Sequence, residues 1–249
     1  MTVAQVFTRN RLLLALSVQE VSLLQPQLEP VCLPVGTRLA EPNTPIQHVY
    51  FLDAGIASVV ASTPQGRRIE VGIIGREGLT APCVVLGVGR SPHECFVQTP
   101  GAGLQILADD LSRAMAASAS LRQHLLRFVQ AFMIQMGQTA LANACHVIEQ
   151  RLARWLLMCH DRVDGDELAT THEFLSLMLS VRRPGVTMAL QPLEERGLIS
   201  TKRGQIAVLD RAGLESVAGD SYGLCEAEYE RLIGLTISSK LAPPAPDLP

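Results

Sequence analysis

Residues 31–107 are cut every few positions by turn formers, whereas residues 109–142 hold no proline and a single glycine, Gly137. Punctuation of the first kind excludes long helices, and its absence over the second stretch excludes a set of short strands. The first stretch carries β-branched or alternating runs at Thr37–Ala40, Gln47–Leu52, Ile56–Ala61, Arg68–Ile74, Cys95–Thr99 and Gly103–Leu107. Pro34-Val35-Gly36, Pro42-Asn43, Asp53-Ala54-Gly55, Pro64-Gln65-Gly66 and Pro100-Gly101 read as the turns between them. Strands of this spacing predict an antiparallel barrel or roll. Residues 56–61 and 68–74 read as a hairpin within it. Ahead of the roll, Leu12, Leu13, Leu16, Val21, Leu24 and Leu28 form a short helical lead-in punctuated by Pro26 and Pro30.

Along 109–142 the apolar residues Leu121, Leu125, Phe128, Val129, Phe132, Met133 and Met136 recur at helical spacing. They predict one long amphipathic helix. An apolar face this long, placed after a compact β unit, points to pairing with a second copy of the chain. The competing reading packs the same face on its own roll.

Composition narrows the function. The chain has 249 residues, 47% hydrophobic and 18% charged, which is globular and fits one or two domains. Its net charge of −3 means that nucleic-acid contact needs a local basic patch. The six cysteines form no C-x-x-C pair and are too sparse for a disulfide scaffold. No leader with a basic start and a small-residue cleavage site is present, and no apolar run nears the ~20 residues of a membrane span. The expectation is a cytoplasmic protein without membrane contact. The sequence has no G-x-S-x-G, P-loop, H-E-x-x-H or G-x-G-x-x-G. The adjacent pairs Asp109-Asp110 and Glu194-Glu195 diverge on a helix, so they read as a cap and a solvated turn. Neither enzyme activity nor a cofactor or metal is expected.

The segment 145–211 carries the functional signal. Val147–Cys159 reads as a helix and Asp161–Ala169 as a polar loop. Thr170 or Thr171 caps a helix running to Ser180, and a second helix runs from near Arg182 to Gly197. Leu198–Thr201 and Gln205–Leu209 then form a hairpin around Lys202-Arg203-Gly204. This is the pattern of a winged helix-turn-helix. Val186, Leu190 and Leu193 face its core, leaving Arg182, Arg183, Thr187 and Gln191 on the outer face. Such positions meet base edges in the major groove, where Arg pairs with guanine and Gln with adenine. Lys202 and Arg203 suit phosphate contact. Between Thr170 and Ile206 five basic residues face three acidic ones, a modest local excess. Pro184 is tolerable in the first turn, and Pro192 predicts a kink near Met188. Residues 212–249 hold six acidic and two basic residues. They read as a helix near Leu224–Leu235 and a frayed tail with Pro243, Pro244, Pro246 and Pro249.

The layout over roughly residues 10–215 resembles the Crp/Fnr superfamily of bacterial transcription factors, most specifically through Thr171–Ile199 and its ending Leu193-Glu-Glu-Arg-Gly-Leu-Ile199. The resemblance implies an α+β fold: an N-terminal β-roll of the cyclic-nucleotide-binding-like jelly-roll type, a long dimerisation helix and a C-terminal winged helix-turn-helix. The expected domains are 1–108 (sensor), 109–142 (dimerisation helix), 143–212 (DNA binding) and 213–249 (helical extension and tail). The implied function is a sequence-specific regulator binding a two-fold symmetric operator on double-stranded DNA as a homodimer. RNA polymerase and a small-molecule effector are further implied partners. Matched by position, the DNA-binding residues are Thr171, Arg182, Arg183, Gly185, Thr187, Met188, Gln191, Lys202 and Arg203. Arg183 takes the place of a base-reading Arg, while Pro184 and Met188 replace an acidic residue and a second Arg that the family often uses.

In ligand-binding members an Arg-Ser pair holds the phosphate and a Glu holds the ribose hydroxyl. Arg90 and Ser91 match the pair, but Thr80 stands at the acidic position, preceded by Leu79. The expectation is therefore a regulator that does not depend on cyclic AMP. A four-cysteine iron–sulfur cluster is excluded near the N-terminus, where Cys32 is the only cysteine in the first 80 residues. His93 and Cys95 share a strand face but read as structural. Two alternatives stay open: gating by a cyclic nucleotide or other small ligand, and a regulatory protein-binding module without DNA binding.

Overall fold

The computed structural model describes residues 8–238 and divides into two compact units that meet between Thr139 and Ala140. The proline-rich tail lies outside the described residues.

The first unit begins with two short helices, α1 (Arg11–Leu14) and α2 (Val18–Leu24). Asn10, fully buried, caps α1 by accepting from Leu13 N, and its Nδ2 donates to the carbonyls of Leu52 and Gly78 at 2.9 and 2.8 Å. One amide thus satisfies an orphan helix donor and fixes the lead-in to the roll. The roll follows as β1 (Glu29–Leu33), β2 (Arg38–Ala40), β3 (His48–Ser62), β4 (Arg68–Ile74), a short helix α3 (Pro82–Val85) and β5 (Glu94–Leu107). All pairing is antiparallel in the order β1-β5-β3-β4, with β2 also on β5. The expected hairpin is the β3–β4 pair. Phe51, Leu52, Ile56, Val60, Ile73, Ile74, Val97 and Ile106 fill the interior.

Two expected turns are not turns. Asp53-Ala54-Gly55 lies within β3, and Pro100-Gly101 lies within β5. The two strands bend together where their register shifts between Leu52 and Ala57. Gly55, at φ +87°, would place a Cβ 2.6 Å from the Thr99 carbonyl oxygen, and a Cβ on Gly101 would strike the Ala54 carbonyl. The glycines permit close backbone approach at a bulged bend, which reads in sequence like a chain reversal. Strand β1 was not expected either.

The expected single helix over 109–142 is two helices, α4 (Ala108–Ala117) and α5 (Ala119–Cys145). Ser118 takes extended geometry, φ −135° and ψ 112°, and its Oγ accepts from Leu121 N at 3.2 Å. The hydroxyl offers the cap that breaks the run. Helix α5 docks on the roll through Phe128 and Phe132, whose rings occupy the space over Gly78 and Gly72. Gln135 Oε1 accepts from Ile73 N at 2.8 Å, and His124 Nε2 donates to the Leu12 carbonyl at 3.0 Å. Leu126, Met133 and Leu141 remain exposed on the other side of α5.

The second unit holds α6 (Ile148–His160), β6 (Glu167–Ala169), α7 (His172–Leu179), α8 (Arg183–Glu195), β7 (Ile199–Lys202), β8 (Gln205–Val208), α9 (Arg211–Ala218) and α10 (Leu224–Ile233). Helix α6 is its centre, buried without a break from Leu152 to His160. The expected polar loop 161–169 ends in β6, which pairs with β8 to give a three-stranded sheet β6-β8-β7. Three residues of backbone pairing leave too short a pattern to read. Helix α9, capped by Asp210, was also not expected. Arg211 at its start forms an ion pair with the fully buried Asp161 at 2.9 Å and donates to Tyr222 Oη at 2.6 Å. Tyr222 in turn donates to Asp161 at 2.6 Å. Burial and the Asp161 charge both raise the Tyr222 phenol above its ordinary value, so it stays a donor.

Candidate nucleic-acid interface

Thr171 sets the start of α7: its backbone is extended and its Oγ1 accepts from Phe174 N at 3.2 Å. Leu175, Met178 and Leu179 are buried beneath it. The helix stops at Ser180, a non-glycine residue in left-handed geometry, φ +51°. Val181 and Arg182 then lead into α8. Arg151 of α6 braces this corner by donating to the Leu179 carbonyl at 2.5 Å. Burial lowers the Arg151 pKa below its ordinary value. Helix α8 is held by its apolar side, with Val186, Ala189, Leu190 and Leu193 buried. Pro184 falls in the first turn, where its missing N–H has no helical partner to lose. Pro192 lies inside α8, which continues through it to Glu195.

That packing leaves Arg182, Arg183, Thr187, Met188 and Gln191 exposed, Met188 at 72%. Arg183, Thr187 and Gln191 recur four residues apart along one face of the helix, and Met188 stands beside Thr187, three residues before Gln191. Arg183 pairs with Glu173 of α7 at 3.0 Å, both side chains exposed. Gln191 donates to Glu195 at 2.8 Å. Gly185 is half-buried and lies off this stripe: a Cβ there would sit 3.4 Å from Val181. Lys202 and Arg203 are exposed at the β7–β8 tip, beside Gly204 at φ +75°. Of the nine expected contact residues, eight are thus exposed in this unit, and Gly185 faces the turn.

Glu194 was expected to be merely solvated. It accepts from both Thr201 N, at 2.7 Å, and Thr201 Oγ1, at 2.6 Å, and so ties the hairpin to α8. The Leu193–Ile199 run contains the residue, but the partner lies seven positions on, across a turn. The arrangement presents two arginines and the Gln191 amide on the exposed side of α8, with a second cationic tip at Lys202 and Arg203. It offers positive charge and hydrogen-bond donors to a partner rich in acceptors.

The roll positions matched to the family's ligand contacts, Thr80, Arg90 and Ser91, do not form a comparable cluster of exposed donors. Thr80 is fully buried, and its Oγ1 accepts from Tyr50 N at 3.0 Å while its own N donates to the Tyr50 carbonyl. Its hydroxyl oxygen is engaged by the Tyr50 backbone. Glu77, also buried, turns its carboxylate onto Gly75 N at 3.1 Å. Arg90 is exposed, and Ser91 Oγ accepts from His93 N at 3.1 Å. Among the described residues no three of His, Cys, Asp or Glu group to hold a metal, and no helix is long and apolar enough to cross a membrane.

Residues 150–217 match the Crp-like helix-turn-helix domain family. No curated protein matches the chain significantly. Among solved structures, a regulator assigned to the Crp/Fnr family from Eubacterium rectale is 19% identical with a TM-score of 0.64, covering 82% of this chain and 95% of that one. FixK2 from Bradyrhizobium japonicum is 14% identical with a TM-score of 0.66, covering 77% and 98%. A CRP-family transcriptional regulator from Thermus thermophilus is 20% identical with a TM-score of 0.62, covering 77% and 96%. At these identities the likeness shows the fold: an α+β chain with an N-terminal antiparallel roll and a C-terminal Crp-like helix-turn-helix domain.

Proposed function

We propose that this chain, carrying a Crp-like helix-turn-helix domain on the fold of Crp/Fnr regulators, is a homodimeric, sequence-specific DNA-binding regulator of transcription. The observation that carries the reading is the exposed stripe Arg183, Thr187, Met188 and Gln191 on a helix whose opposite side is fully packed. Arg183 and Gln191 are assigned to guanine and adenine edges, and Met188 to a thymine methyl. Thr187 adds a hydroxyl. Thr171, Arg182, Lys202 and Arg203 are assigned to phosphates, which set register and affinity. Gly185 keeps the turn compact.

The dimer reading rests on α5. Leu126, Met133 and Leu141 are exposed there, and a Cβ on Gly137 would meet no described atom within 4 Å. A glycine inside a helix is ~1 kcal/mol worse than alanine, and nothing among the described residues requires it. Close approach of a second α5 does. Two copies would then set two α8 helices in successive major grooves, about 34 Å apart, on a two-fold symmetric operator. Cyclic AMP is not the effector in this reading, because Thr80 supplies no carboxylate and its side chain is fully buried against the Tyr50 backbone.

Charge reversal at Arg182 and Arg183 separates this from a protein-binding role. Sequence-specific duplex binding is expected to disappear in R182E/R183E while the melting temperature and self-association hold. Unchanged duplex binding would overturn the assignment of α8.

A further inference from the structure

In the second unit a cleft of about 460 Å³ opens between α9 and α10. Arg211 and Glu215 line it from α9, Glu226 and Glu230 from α10, with Tyr222 ahead of α10 and Ile237 beyond it. The α10 wall lies past residue 217, where the match to the helix-turn-helix domain ends. Among the described residues Arg211 is the only cation in the lining, and it is already engaged. It pairs with Asp161 and with Glu215, both at 2.9 Å, and donates to Tyr222 Oη at 2.6 Å. Two carboxylates remain without a cation in ion-pair contact. Glu226 Oε2 accepts from Gly223 N at 3.0 Å, and the Glu230 carboxylate has no partner among the described residues. Glu228, on another face of α10, is by contrast paired with Arg231 at 2.7 Å. Glu226 and Glu230 stand one turn apart on the cleft side of α10, where like charges repel. Burial and the Asp161 charge raise the Glu226 carboxyl above its ordinary value, although Arg162 and Arg154 lie near. A positive charge in the cleft would offset both effects.

Spacing and shape select the cation. Among the described residues no three of His, Cys, Asp or Glu group to hold a metal ion. The carboxylates of the cleft therefore suit a ligand whose positive charges are set apart along a chain. Ala227, Ile237 and the Tyr222 ring supply apolar wall for methylenes between those charges. The volume lies within the range of small-molecule sites. An ammonium group brings three donors and no acceptor, which matches a lining of carboxylates and hydroxyls. We propose that this cleft binds an aliphatic diamine or polyamine, one ammonium held by Glu226 and Glu230 and the chain running toward Glu215. The ligand bridges α9 and α10 and so holds the C-terminal helix on its domain. The site shares no residue with α8, so it stands apart from the DNA-binding reading.

The test titrates the full chain with putrescine and with spermidine, and separately with butylamine and with Mg2+, by calorimetry and with 13C-labelled isoleucine methyls. Saturable binding of putrescine or spermidine is expected, with a shift of the Ile237 methyl and none of Ile206 in β8. The melting temperature is expected to rise with the bound amine. E226Q and E230Q keep the shape of the side chain and are each expected to weaken binding about 10-fold or more, as a charge-assisted hydrogen bond is lost. E228Q is expected to bind as the unaltered chain does. Glu230 is exposed, so E230Q carries the test should E226Q fail to fold. An equal response to butylamine or Mg2+ would overturn the ligand class. Equal weakening by E228Q, or no weakening by E226Q and E230Q, would overturn the site, as would no saturable binding of either amine. Loss of duplex binding would defeat the regulator reading, and the amine titration would still decide this one.

Discussion

In the proposed interface, Arg183 and Lys202 divide the work between sequence and charge. Arg183 stands in the first turn of α8 with its guanidinium exposed, held by Glu173 in a surface pair that contributes little stability. Replacing it with alanine is expected to weaken the best duplex by ~1–3 kcal/mol and to relax preference at one base pair. Lys202→Ala is expected to weaken all duplexes alike and to lower the salt slope by about 1. Binding titrations at several salt concentrations read both effects. His124 sets a different prediction. Burial lowers its pKa, only partly countered by the Leu12 carbonyl and Glu20. A histidine depressed in the fold stays neutral there while the unfolded chain takes up a proton below ~6.5. Stability is therefore full above that pH and is lost as pH falls from it toward the folded value. Thermal melts from pH 7.5 to 5.5 are expected to show a smaller loss for H124Q, whose amide can still donate to Leu12.

Helix α5 packs on the roll with one side and, in the proposed dimer, on a second copy with the other, and its glycine contacts make the two separable. A Cβ on Gly72 would sit 2.9 Å from the Phe132 ring. Gly72→Ala is thus expected to destabilise the first unit by ~1–3 kcal/mol through overpacking. Gly137→Ala has no such clash, and in an isolated helix it should be stabilising. If α5 pairs closely with a second copy, the same change weakens self-association, which sedimentation measures independently of melting. At this scale the sequence was legible where local chemistry and tertiary structure agree. Thr171 caps α7, and the apolar spacing of 186, 190 and 193 fixes the buried side of α8. Legibility failed where pairing overrides local preference. Asp53-Ala54-Gly55 and Pro100-Gly101 have turn composition, but the two long strands carry each other through the bend. Ser118 broke the long helix with a side-chain oxygen that composition alone does not flag. Glu194 hid its role because Thr201 meets it only once the hairpin folds back.

The whole chain carries a net charge of −3, and its C-terminal part after 211 is acidic. Nucleic-acid contact on such a molecule has to be local, and the proposal assigns it to the α8 face and the β7–β8 tip. Nearly a quarter of the chain has no counterpart in FixK2 or the Thermus thermophilus regulator, while nearly all of each of those chains is matched. The central claim is that α8, presented twice by a dimer, reads a DNA sequence. Selection of bound duplexes from a random pool by the purified protein, with and without cyclic AMP, tests it most directly. The account predicts a two-fold symmetric motif with half-sites about one helical turn apart, the same with and without the nucleotide. No enriched motif in either condition would contradict it.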